Sequence, residues 1–493
     1  DILLIVNLMY FRTYYTAIPL NSYGLSGNLA DFTGSVYDSF RWYDIFFPLS
    51  TIASIPLYWH YKRNTAGRTS YKYYGGALGI GILLFTITTL AKGGFKEAYN
   101  TVRQKAYLCA STTSMYTVFG SLCYDLINQK QEATPQIQQE IKEWLSQKPG
   151  HHPLAGRIGI RNNCIVILAE SLESWVLERE VERQEITPYL NKLLQDSTTL
   201  YAPHVLTQVK GGRSIDAQLL LCVGMLPINY LLTIDKVSTW NQGVIAYSFG
   251  TDTIIAYHDF ELTEAFGTHK RTGDGSFLAQ CSQKIEKGEI WKKGENVYMQ
   301  LVTYSGHAPF KLPEELKEIH FSPAIPQKMN DYMTTARYTD KAIGKFVEYL
   351  KTLPQYDETL IVITGDHEGL ATYREELCNA PGGKGIVSDK TFTPFIIVNS
   401  PVGMRYDKVM GQIDMYPTLL NLLQLDDYYW SGLGQSILDP CKKGFAISPQ
   451  MEVVGEEPTP AEAEFAKKAY DISDQMIHFD YLCSKAKIGG TSK

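Results

Sequence analysis

From Asn162 onward the chain alternates short, unbroken apolar runs with longer stretches in which apolar residues recur every three or four positions. The runs are CIVILAE, GVIAYSF, NVYMQLVTYS, TLIVITGDH and TPFIIVNS. A strand that is apolar at every position, with no polar face, predicts burial on both sides, as in a sheet covered by helices. Between the runs the spacing predicts helices over Thr187 to Asp196, Asn330 to Thr352 and Met415 to Leu425. Strands alternating with helices predict an α/β fold, a mostly parallel central sheet flanked by helices. In such sheets ligands sit beyond the carboxyl ends of the strands.

The first part of the chain has a different texture. After the apolar opening DILLIVNLMYF come two long apolar stretches, Tyr43 to Tyr61 and Tyr73 to Ala91, with aromatic residues at their ends. Each approaches the roughly 20 residues that a helix needs to cross a bilayer. The loop between them holds Lys62, Arg63, Arg68 and Lys72 and no acid. That loop is expected on the cytoplasmic side, which places everything after the second stretch outside. The expected organisation is a membrane-associated helical segment at 1–92, a helical linker at 93–160, the α/β domain at 161–440, and a helical tail at 441–493. The opening Asp1 reads as part-way through a longer protein, and no cleavable leader is visible.

Length and charge narrow the classes. At 493 residues two or three structural units are expected. A net charge of -6 argues against nucleic acid as a partner, because backbone binders carry a basic face. The 8 cysteines show neither CxxC pairs nor zinc-finger spacing. Cys164 and Cys222 sit in apolar runs and read as buried thiols, whereas Cys378, Cys441 and Cys483 lie where pairing outside the cytoplasm is open to them.

Three local patterns carry chemistry. Glu170 is the first charged group to leave the run CIVILAE, and a carboxylate there costs desolvation energy unless a cation or donor meets it. In TLIVITGDHEG, Asp366 and His367 follow another buried run, offering oxygen and imidazole donors suited to Mn, Zn or Mg. In KGGRSIDAQLLL, two glycines precede Arg213 and Ser214, and an apolar helix follows. A helix start points free N–H groups at an anion, and an arginine offers a fork for phosphate or sulfate oxygens. Singly, each pattern also has an ordinary structural use: a strand-end acid, a sharp turn, a helix-capping serine.

Taken in order, these patterns resemble the catalytic domain of the lipoteichoic acid synthase and phosphoglycerol transferase family, within the alkaline phosphatase and sulfatase superfamily. The likeness extends through TPYLNKLLQDS, SGHAPF, TPFIIVNSP, GQIDMYPTLLNLLQL and GLGQSIL. It implies that Glu170, Ser214, Asp366 and His367 bind one divalent metal, Mn foremost with Zn or Mg as alternatives. It also implies that Ser214 is a nucleophile forming a covalent intermediate. Arg213, His307 and His258 are then the expected substrate-site residues, with His307 also acting in proton transfer. Formylglycine sulfatases use C/S-x-P-x-R, whereas Ser214 is followed by Ile-Asp-Ala, so that modification is disfavoured. Where family synthases carry a Trp and an Arg, this chain reads ELTEAFGTHKRTGDG. The resemblance implies an extracytoplasmic, membrane-tethered transferase acting on a phospho-alcohol head group, with a phospholipid donor and a glycan or polymer acceptor. The rival is a phosphodiesterase, phosphatase or sulfatase that uses water.

Overall fold

The computed structural model describes residues 5–9, 40–64, 71–91, 134–150, 152–154, 161–210, 212–227, 250–256, 259–264, 271–370, 373–425 and 432–479, with a few isolated positions between them. The chain divides into two compact units, one of Asp1–Gly27 and Ser35–Gln131, the other of Asn28–Gly34 and Glu132–Lys493.

In the first unit, helices form where the long apolar stretches predict them: α1 at Phe46–Asn64 and α2 at Tyr71–Ala91. Leu49, Ile52, Ile55 and Leu57 of α1 and Leu78, Ile80, Leu83 and Ile87 of α2 are exposed. Among the described residues, no helix is long and apolar enough to cross a membrane. The basic loop between the two helices lies mostly outside the described residues.

The second unit begins with α3 (Pro135–Gln147) and is built on a mixed sheet. Its strands are β1 (Asn163–Ala169), β2 (Leu200–Leu206), β3 (Tyr298–Val302), β4 (Thr359–Gly365), β5 (Phe392–Val398), β6 (Met404–Arg405) and β7 (Met410–Gly411). The order is β3-β1-β4-β5-β2-β6, with β7 also paired to β2. β1 runs parallel to β3 and β4, and β2 runs parallel to β6 and β7. Only β5 is reversed, antiparallel to both β4 and β2. Four of the apolar runs thus become β1, β3, β4 and β5, while GVIAYSF lies outside the described residues. β2 was not among the expected strands: LYAPHVL breaks its apolar run with Pro203 and His204, although most of it is buried.

Every residue of β1 and of β4 is buried, and alternate residues feed opposite layers. Ile165, Ile167, Ile361 and Ile363 join one core with residues of α4 (Pro188–Leu194), α6 (Asp274–Glu286) and α7 (Gln327–Leu350). Val166, Leu168, Leu360 and Val362 join the other with Leu221 of α5 (Ser214–Val223) and Met415, Leu419 and Leu422 of α9 (Met415–Leu422). A short helix α8 (Arg374–Asn379) follows β4. The tail folds as α10 (Pro460–His478), opened by a Thr459/Glu462 capping box. It packs on α3, where Trp144 stacks on Phe465 with ring centroids 4.6 Å apart. Cys164, Cys222, Cys378 and Cys441 are free thiols.

Helices are fastened to one another through buried acids. Asp340 on α7 accepts hydrogen bonds from the backbone N–H of Tyr189 at 3.0 Å and of Leu190 at 2.7 Å, capping α4 from outside. Burial pushes its carboxyl up to about 7, the two N–H groups pulling the other way. A carboxyl raised in the folded state stabilises the fold fully below its unfolded value, and that contribution is lost as pH rises through about 7. Wild type is therefore expected to lose more stability than Asp340→Asn as pH rises from about 4 to about 7. Urea melts at each pH check this, and parallel curves for the two proteins would refute it.

Candidate active site

β1 and β4 are adjacent and parallel, with Ala169 opposite Gly365, so Glu170 and Asp366 emerge side by side at their carboxyl ends. Glu170, Asp366 and His367 are all buried, and one ligand atom from each lies within 4.8 Å of the others. Nε2 of His367 is 3.4 Å from Oε1 of Glu170 and 3.5 Å from Oδ2 of Asp366. Oδ1 of Asp366 accepts the backbone N–H groups of Ser171 and His367, each at 2.7 Å. Its Oδ2 is buried without a hydrogen-bond partner. An orphaned carboxylate oxygen beside a second carboxylate is costly in a dry pocket unless a cation sits there. Burial, then the neighbouring Asp366, push the carboxyl of Glu170 up to about 7. Two carboxylates and an imidazole are a donor set suited to a divalent cation.

Ser214 completes the cluster from another element. It is the first residue of α5, and its Oγ lies 3.3 Å from Oε2 of Glu170 and 3.3 Å from Nε2 of His367. The turn before it is tight. Oδ2 of Asp216 accepts from the backbone N–H of Lys210 at 2.7 Å and of Gly212 at 3.1 Å. A Cβ at Gly212 would lie 2.2 Å from Oδ1 of that carboxylate, so a larger residue would push the Asp216 side chain out of these hydrogen bonds. Arg213 takes up φ 49°, a strained value for a residue with a side chain.

Arg213 is engaged within the protein. Its Nη1 pairs with Glu368, and its Nη2 lies 2.9 Å from the carbonyl oxygen of Glu368 and 3.0 Å from Nδ1 of His367. Burial works against ionisation of Glu368, but Arg213 and His367 outweigh it and hold the carboxyl below its usual range. The guanidinium expected to serve as a phosphate fork thus also fixes the His367–Glu368 loop. Nδ1 of His367 is 3.0 Å from the Glu368 carbonyl, and as a donor there it turns the Nε2 lone pair to the cluster.

His307 lies on the loop leaving β3, and that loop packs directly on Glu170. A Cβ at Gly306 would come 1.9 Å from the Glu170 carbonyl oxygen. The ring of His307 is stacked on Tyr304, its Nδ1 is 2.8 Å from the carbonyl of Ala308, and burial lowers its pKa. His258 lies outside the described residues.

Sequence reading missed the residues that hold the loops in place. Glu173, fully buried, accepts from the N–H of Gly369 at 2.8 Å, from that of Leu370 at 3.0 Å, and from Nη2 of Arg374 at 2.5 Å. Its other oxygen accepts from Nε1 of Trp175 at 3.0 Å. Tyr332 donates to the Ser171 carbonyl at 2.7 Å and accepts from the Glu173 N–H at 2.9 Å. An acid three residues beyond Glu170 was the available signal, but only the fold shows that it faces the second strand's exit loop.

With this geometry in hand, comparison with known proteins is informative. Residues 1–137 match the lipoteichoic acid synthase N-terminal domain, and residues 233–425 match the sulfatase domain. The chain is thus similar to lipoteichoic acid synthases in its first part and to sulfatases in its α/β domain. A lipoteichoic acid synthase-like protein of Bacillus subtilis is 22% identical over 494 residues, 90% of this chain and 78% of the relative. The lipoteichoic acid synthase of Staphylococcus saprophyticus is 23% identical, covering 88% of this chain and 73% of its own. Among solved structures, a lipoteichoic acid synthase from Listeria monocytogenes aligns with a TM-score of 0.54 at 18% identity, over 72% of this chain and 98% of that one. An alkaline phosphatase superfamily protein from Vibrio parahaemolyticus aligns at 0.50 with 15% identity, over 72% and 97%. The fold is therefore of the alkaline phosphatase and sulfatase kind. The sulfatase match leaves Glu170 and Ser214 outside its bounds, so their place in the site rests on the geometry above.

Removing one member of a buried ion pair leaves the other charge unmet, at a cost of about 3–5 kcal/mol. Glu173→Ala is expected to destabilise the second unit by about that amount and to loosen the His367–Leu370 loop. Chemical denaturation measures the first effect. A loss below about 1 kcal/mol would contradict this account of the site's support.

Proposed function

We propose that this chain transfers a phospho-alcohol head group of the glycerophosphate type, drawn from a membrane phospholipid, to an acceptor hydroxyl through a covalent phosphoserine at Ser214. The observation that carries the reading is the convergence of the Ser214 hydroxyl on a buried Glu170–Asp366–His367 cluster with one unpartnered carboxylate oxygen. Glu170, Asp366, His367 and Ser214 would hold one divalent metal, Mn foremost with Zn or Mg as alternatives. When bound, such a cation acidifies the hydroxyl and offsets charge on the phosphoryl oxygens.

The chain's own residues do the rest. Ser214 Oγ attacks phosphorus as its proton passes to His307, a new O–P bond forms, and the bond to the lipid alcohol breaks, the leaving oxygen taking that proton from His307. The acceptor hydroxyl then attacks the phosphoserine and releases Ser214. With Nδ1 directed at the Ala308 carbonyl and its basicity lowered by burial, His307 is a neutral ring at neutral pH. Such a ring is suited to take the proton of the incoming alcohol. Arg213 keeps the strained turn and the His367 ring in register. The tether at 1–92 would keep donor and enzyme on one bilayer surface, with Lys62 to Lys72 inside and the α/β domain outside.

Ser214→Ala tests the reading. The expected result is a loss of turnover of at least about a thousandfold, with metal affinity weakened but retained. Stability should change by no more than about 1 kcal/mol, the worth of a helix-end hydroxyl. The assay is release of diacylglycerol from phosphatidylglycerol vesicles with and without an added glycolipid acceptor. Release that does not depend on the acceptor makes water the acceptor instead. An active, metal-replete Ser214→Ala protein would refute the mechanism.

A further inference from the structure

The C-terminal helix α10 contributes no member of the site, yet it holds the element that carries Ser214 at both ends. Upstream, Lys210 is the residue from which the turn into α5 departs: its carbonyl accepts from the Arg213 N–H at 3.3 Å. Its own N–H shares the Asp216 carboxylate oxygen with Gly212. The Lys210 side chain is only 5% exposed and runs to α10, its Nζ lying 5.0 Å from the centroid of the Tyr470 ring. The charge facing it comes from Asp474, Asp216 and Asp471. Downstream, Oγ of Ser473 donates to the Leu226 carbonyl at 2.6 Å, just beyond the end of α5. The hydroxyl of Tyr470 donates at 3.0 Å to the Ile447 carbonyl, which also accepts from Nε2 of Gln208. Residues 470, 473 and 474 fall on one helix face, so a single stripe of α10 meets both flanks of the nucleophile element.

We infer that Lys210 is a positioning residue for Ser214, anchoring the strained Lys210–Ser214 turn to α10, which makes the C-terminal helix part of the catalytic apparatus. The inference rests on the reading of Ser214 as nucleophile. Its physical basis is cost: a buried ammonium is unfavourable unless acids meet it, and a methionine would fill the same space without that cost. Burial, acting first, pulls the amine down to about 8, while Asp474, Asp216 and Asp471 oppose that pull. The amine thus feels opposed charges on two elements, α10 and α5. A displacement of the hydroxyl by about 1 Å is enough to cost a hundredfold in rate.

The test compares full-chain wild type, Lys210→Met and Lys210→Arg, each with Mn2+ added. Amide exchange at residues 212–217 is expected to rise at least about tenfold in Lys210→Met, with β1 and β4 unchanged. Turnover of an aryl phosphodiester should fall about 10- to 100-fold in kcat with KM held within about threefold, and Lys210→Arg should recover most of it. Unchanged exchange at 212–217 overturns the inference. So does exchange that rises equally in β1 and β4, or a faster-exchanging turn with full kcat. Should Lys210→Met fail to fold, the Asp471→Asn, Asp474→Asn double variant is read by the same measurements against the same outcomes. Failure of the nucleophile reading is separable, because it shows as an active Ser214→Ala protein whatever the exchange at 212–217.

Discussion

The constraint on which the site depends is the placement of two buried carboxylates, Glu170 and Asp366, at the ends of neighbouring parallel strands. Parallel pairing of β1 with β4 sets their separation, because Ala169 and Gly365 are partners and the next residue on each strand is an acid. Three carboxylates meet in this region, and Arg213 offsets the one on Glu368. Glu170 and Asp366 remain, two carboxyls that carry a charge of about -2 when both are ionised, with one oxygen unsatisfied. A single divalent cation balances that charge. The deficit thus argues for cation binding independently of any family likeness.

Much of the molecule can be understood as support for that unfavourable arrangement. Glu173 draws the Gly369 and Leu370 amides and the Arg374 guanidinium toward the exit of β1. Tyr332 reaches from α7 to the backbone on both sides of Leu172, while Gly306 lets the β3 loop lie against the Glu170 carbonyl. Two of the residues with positive φ, Ser171 and Arg213, stand beside Glu170 and Ser214. Such backbone persists only where the surroundings over-determine it, and here each strained residue is flanked by buried side chains that accept its neighbours' N–H groups.

The sequence was informative where burial alone decides structure. β1 and β4 are apolar at nearly every position because helices cover both their faces, and no other element produces so short and uniform a run. Glu170, Asp366 and His367 were legible as a candidate cluster for the same reason, since a charge that ends such a run stands out. β2 was not legible, because Pro203 and His204 interrupt it and its pairing to β5, β6 and β7 is made by residues far away in the chain. Glu173 and Glu368 were missed because each acts across the fold, on partners 201 and 155 positions away, whereas Asp216 acts on its own turn, 4–6 positions away. An acid in a loop carries no mark in the sequence of whether it faces water or a buried arginine.

The engagement of Arg213 changes how the site must handle phosphate. A guanidinium already paired to a buried carboxylate contributes little net positive charge, so the anion's attraction to the pocket has to come mainly from whatever balances Glu170 and Asp366. The empty and loaded forms of the site then differ in sign, negative without a cation and near neutral or positive with one, and a phosphodiester is repelled by the first. On the proposed reading, ordered binding, cation before substrate, would follow from that electrostatic difference. The Arg213–Glu368 pair serves a second purpose on this view, keeping the arginine from neutralising Glu170 in the cation's place. The same carboxylates that make the cluster costly to fold are left available for a ligand of the right charge.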